Sequence, residues 1–201
     1  MNKEYTVLLH DLLILEEMAA NMDAYLVSDA RKWTIPRANM PKLTIGGYLM
    51  RQERLLALKD KLRSEDLARL KTAIEVFNRA LVEKVVRFES RAHQELHLRI
   101  REWVNCLRDM GSQSSAEVNY YAGIVDTRVV IACLRDKLDK QPYRLEKGVQ
   151  EEVDDLDKNL RQRLELHDFV WDTVWIPAYP IDKYWWLYGC PRRAQAALSI
   201  R

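Results

Sequence analysis

Glu89, His93 and His97 recur at intervals of four residues, which on an α-helix places all three side chains on one face. Two imidazoles one turn apart can reach the same ion, and a carboxylate one turn earlier can complete the set. The run therefore has the donor types of a divalent transition-metal site, with His10, His167 or Asp168 as a further ligand from another helix. The wider pattern does not extend it. In His93-Gln94-Glu95-Leu96-His97 no Glu follows the first His, as the zinc-protease order requires. The Glu-x-x-His pairs of di-iron bundles occur nowhere in the chain. The plainer reading is a solvated or structural helix face with no cofactor.

Nucleophilic chemistry is no better supported. Cys106 lies nine residues beyond His97, about 13 Å along a helix axis, too far for a nucleophile and its base. Gly46-Gly47 lacks the further glycines and the Lys of a phosphate loop, and no GxSxG elbow is present. These omissions favour a non-enzymatic protein.

A second candidate is aromatic. Trp171, Trp175, Tyr179, Tyr184, Trp185 and Trp186 crowd the C-terminal part of the chain, with Tyr188 close behind. Trp and Tyr bury large areas while offering a polar handle, which suits a protein partner or a second copy of this chain. Stacking on single-stranded nucleic acid needs interleaved bases, and only Lys183, Arg192, Arg193 and Arg201 are near. The competing expectation is that the stretch folds back and seals the core, since leaving each large aromatic exposed forfeits roughly 1.5–3 kcal/mol.

Charge narrows the partners further. The net charge of the 201-residue chain is +2, too close to balance for whole-molecule attraction to nucleic acid or membrane. A surplus of Lys and Arg over residues 51–108 is interleaved with Glu75, Glu83 and Glu89. This reads as a salt-bridged surface rather than a phosphate track, leaving a nucleic-acid accessory role as a third alternative. Residues 1–29 carry Glu4, Asp11, Glu16, Glu17, Asp23 and Asp29 against Lys3 alone, whereas Arg31, Lys32, Arg37 and Lys42 follow without an acid. An acidic first helix packed among basic neighbours is the expected consequence. Nothing points to a small-molecule ligand.

The elements that would position these residues are helical. Apolar residues make up 48% of the chain and charged residues 31%, with only six Gly and six Pro, a composition that suits a folded, helix-rich protein. Residues 4–27 place Leu8, Leu12, Leu15, Ala19, Met22 and Leu26 on one face. A loop over 28–43 holds Pro36 and Pro41, and helical spacing resumes over 44–63, weakened at Gly46 and Gly47. From 65 to 110 a seam runs Leu67, Leu70, Ile74, Phe77, Leu81, Val85, Phe88, Ala92, Leu96, Ile100, Trp103, Leu107 and Met110 without Gly or Pro. Its spacing predicts one spine helix, on the order of 65–70 Å long, capped at Ser64 and stopped at Gly111. Val82, Val86 and Val104 flank the seam beside the histidines and suggest partial burial there.

Ser114 and Glu117 fit a capping box opening a helix over 115–140, closed by Pro142. A last helix is expected over 148–172, and short helices from Asp182 to Gly189 and from Pro191. No segment alternates with period two, so no sheet is expected. The predicted fold is an all-α antiparallel bundle of about five helices over 1–172, with an aromatic tail over 173–201 packed on it. The mismatch between the spine and its shorter neighbours suggests self-association. Cys106, Cys133 and Cys190 are too separated for an evident disulfide framework. With His10 and Asp11 breaking the N-terminal apolar run, a cytoplasmic protein with no membrane segment is expected.

Overall fold

The computed structural model describes residues 3–110 and 118–192. The described residues are all-α apart from one small sheet, and the chain divides into two compact units. The first comprises 1–98 and 130–146, the second 99–129 and 147–201. The helices are α1 (Lys3–Val27), α2 (Ile45–Ala57), α3 (Ser64–Glu83), α4 (Val85–Asp109), α5 (Val118–Ile124), α6 (Asp126–Leu138) and α7 (Val149–Arg163). Gly111 and the Ser114–Glu117 capping box lie outside the described residues.

In the first unit, α1 turns the expected face inward: Leu8, Leu12, Leu15, Ala19, Met22 and Leu26 are all buried. Its acids find bases. Asp11 is buried and takes Arg54 through Nε at 2.6 Å, with Arg51 at 3.3 Å. Glu16 pairs with Arg69, Glu17 with Arg37, and Asp23 with Lys84. These contacts set directions. Asp11 meets the end of α2, whereas Tyr5 and Asp23 meet the beginning and end of α3. The three helices therefore run up, down and up.

Thr44 caps α2 by accepting from the Gly47 amide at 3.0 Å, and Glu95 Oε2 accepts from the Gly46 amide at 3.1 Å. The glycine at 46 is a packing requirement, because a Cβ there would lie 2.4 Å from Val130 Cγ1. What reads in the sequence as a weak helix start is a point of close approach between α2 and the Val130 and Leu134 side chains of α6. Between α1 and α2, Trp33 and Leu43 pair through their backbones, and Ile35 and Leu43 are buried.

The expected spine over 65–110 is two helices. Lys84 interrupts it with φ −134° and ψ 37°, and its amide bonds back to Leu81 instead of continuing the α-helical ladder. The β-branched residues Val82, Val85 and Val86 surround the break and lower the local cost of leaving the helix. Lys84 itself is held by Asp23. The seam nevertheless stays buried on both sides, at Leu70, Phe77 and Leu81 before the break and at Phe88, Ala92 and Leu96 after it. The break also removes the length mismatch, because α1 and α4 both have 25 residues.

In the second unit the expected 148–172 helix ends at Arg163, and Leu164 turns extended. A two-stranded antiparallel sheet follows, with β1 (Leu164–Leu166) against β2 (Gly189–Pro191). This corrects the expectation of no sheet; Pro191 itself is extended, and the rest of the helix expected from it lies outside the described residues. The residues Leu-Glu-Leu are compatible with helix. Tertiary pairing decides their state, extended by the His167 amide to Tyr188 O at 3.0 Å and the Val170 amide to Leu187 O at 2.9 Å. The segment expected to be one helix over 115–140 is likewise interrupted, at Val125 between α5 and α6. Between the strands, 3-10 helices occupy Thr173–Ala178 and Trp185–Tyr188.

Candidate functional site

Three regions were marked by sequence or structure as places where chemistry or binding could occur. The Glu89, His93 and His97 face of α4 is occupied by the loop that follows α6. Glu89 Oε1 accepts from the Arg144 amide at 2.8 Å, and His93 Nε2 sits 3.0 Å from the Arg144 carbonyl. A carbonyl only accepts, so Nε2 carries the hydrogen. Glu146 closes the arrangement, 3.5 Å from His93 Nδ1 and 3.2 Å from His97 Nε2. Below this clasp, Phe88 and Tyr143 pack with ring centroids 4.9 Å apart, and the Lys137 ammonium lies over both. Burial pushes the Lys137 amine down from its ordinary range, with Lys140 adding repulsion.

The face therefore anchors a loop. Among the described residues no three His, Cys, Asp or Glu side chains are grouped to hold a metal ion. Glu89 is turned to a backbone amide rather than to the histidines. His10, His167 and Asp168 are all exposed. Arg144 and Glu146, which complete the clasp, carry no sequence signal of their own, because their contacts span some fifty residues. Cys106 is not poised as a nucleophile either, since burial pushes its thiol up, with Asp109 and Glu102 adding to the effect.

The aromatic stretch forms the interior of the second unit. Trp175, Tyr179, Tyr184 and Trp186 are buried, while Trp171 and Trp185 are half-buried. Edge-to-face contacts link Tyr179 to Tyr184 at 4.9 Å, and Tyr184 to Trp186 and Trp186 to Trp185 at 5.6 Å each. Polar handles point inward: Trp171 Nε1 donates to Ala122 O at 2.9 Å and the Tyr121 hydroxyl to Trp186 O at 2.8 Å. Arg128, only 2% exposed, lies 3.9 Å over the Trp186 ring and forks onto Asp157 at 2.8 and 2.7 Å. Arg161 covers Trp185 at 3.7 Å. Rings so enclosed present little to a partner.

The third region is the elbow between α3 and α4. The histidine flank is partly buried, as expected, at His93 and Val104, but Val82 and Val86 are 77% and 80% exposed and do not contribute to that burial. They lie on either side of the Lys84 break. Beside Val86 is a groove of about 320 Å³, with Leu26, Ser28 and Asp29 from the end of α1 on one side and Arg87 and Ser90 of α4 on the other. Val27, next to the groove, is 49% exposed. The signal was present in the sequence: both valines lie off the buried seam, and off-seam apolar residues on a solvated helix need a separate explanation.

No helix among the described residues is long and apolar enough to cross a membrane. No protein-family model, curated protein or solved structure matches the chain.

Proposed function

We propose that this chain is a non-enzymatic helical interaction protein whose docking face is the elbow between α3 and α4. The carrying observation is the exposure of Val82 and Val86, at 77% and 80%, beside a groove. An apolar pair next to a concavity and rimmed by charge has the anatomy of a small protein-binding patch. The other candidates are spent on folding: the histidine face holds a loop, and the aromatic rings fill a core. Arg54 on α2 and Arg69 on α3, two of the basic side chains that nucleic acid would use, are engaged by Asp11, Glu16 and Asp66. Three free thiols suit a cytoplasmic setting.

A photo-crosslinking residue placed at Val86, with a control at the exposed Lys71, tests the reading in intact cells. The expected result is a discrete adduct from position 86 that is absent from position 71 and lost when Val82→Asp is added. Equal labelling at both positions, or none at 86, would sink it.

A further inference from the structure

We propose that His93, His97 and Glu146 form a proton-operated clasp, which tightens the loop after α6 onto α4 as pH falls through the mildly acidic range. The clasp lies apart from the elbow and does not depend on the docking-face reading. The geometry singles out one atom. His93 is buried, and its Nε2 hydrogen is committed to the Arg144 carbonyl at 3.0 Å. In the neutral ring Nδ1 is therefore a bare acceptor. That nitrogen is buried without a hydrogen-bond partner among the described residues, 3.5 Å from a Glu146 carboxylate oxygen. An acceptor facing an anion is unfavourable. One added proton reverses the contact, because Nδ1 becomes a charged donor aimed at the carboxylate. The other Glu146 oxygen stands 3.2 Å from His97 Nε2, so a second imidazolium can share the same anion. The two ring centroids are 6.4 Å apart. Each charged ring disfavours the other, and the shared carboxylate offsets that repulsion. Imidazole is the side chain that gains its proton between about pH 8 and about pH 5. Of the surrounding charges, Arg144 in the loop and Lys137 and Lys140 at the end of α6 oppose a further positive charge, whereas Glu89 and Glu146 favour it. Burial and Glu89 push the Tyr143 hydroxyl up, away from this range. Glu146 is the last residue of the first unit, so the clasp sets how firmly the chain is held where it leaves that unit.

The Arg144 amide reports on the clasp, because it donates to Glu89 and exchanges with solvent when the loop opens. Hydrogen exchange of the full chain, corrected for the intrinsic pH dependence of exchange, is compared at about pH 8 and about pH 6, on either side of imidazole titration. Protection of the wild-type Arg144 amide is expected to rise by roughly two- to fivefold at the lower pH, the scale of a part-exposed ion pair. Glu146→Gln keeps the shape, removes the charge and should abolish the rise. His10→Gln, at an exposed histidine of the same unit, should leave it intact. The Leu96 amide, in the buried seam of α4, is the control for global stability. Wild-type protection that does not rise, a rise that persists in Glu146→Gln, or an equal rise at Leu96 would each overturn the inference.

Discussion

The aromatic stretch around Trp186 and the elbow around Lys84 both concentrate apolar side chains, and they dispose of them in opposite directions. Around Trp186 the large rings turn inward and are reinforced by a stacked guanidinium, a buried Arg128–Asp157 fork, and backbone acceptors for the Trp171 indole and the Tyr121 phenol. Around Lys84 the smaller valines turn outward although the same two helices bury a continuous seam on their other face. Side-chain size and aromatic density mark where folding free energy is concentrated. What remains exposed after the core is complete marks where a partner can sit.

The comparison breaks most visibly at Trp186. Trp186→Ala should destabilise the protein by about 3–5 kcal/mol, the range for emptying a buried aromatic site, measured by chemical denaturation. A loss below about 1 kcal/mol would mean that the ring is not core and would reopen the stretch as a binding surface. Asp157→Ala strips the buried Arg128 of its partner and should cost about 3 kcal/mol, with Arg128→Met in the same background recovering part of it. At the other end of the scale, Val82→Ser and Val86→Ser should each change stability by less than about 0.5 kcal/mol. A larger loss from either would show that the elbow valines serve the fold and would remove the contrast.

Much of this contrast could be read in advance, and the missing parts share a cause. The buried face of α1 follows from a 3.6-residue spacing that nothing later overrides, and the acids of the first helix do meet the bases of its neighbours. The seam through Phe77, Phe88 and Leu96 was equally legible because burial of a helix face depends on local periodicity. The break at Lys84 was not, since the chain there lacks Gly and Pro and the ion pair that accompanies the break joins Lys84 to Asp23, sixty-one residues away. The same holds for Leu164–Leu166, helix-compatible residues made extended by pairing with Gly189–Pro191. Glu89, His93 and His97 do share a face as their spacing requires. Their use was hidden because Arg144 and Glu146 arrive from a distant loop. Local periodicity was readable, and the contacts that redirect it were long-range.

The most direct test of the elbow is a titration with cell lysate followed through isotope-labelled valine methyl groups. The account predicts that the Val82 and Val86 methyl signals shift and broaden together as lysate is added, while those of the buried Val129 and Val153 stay fixed. Elbow signals that do not move over the accessible range, or core signals that move as much, would contradict it.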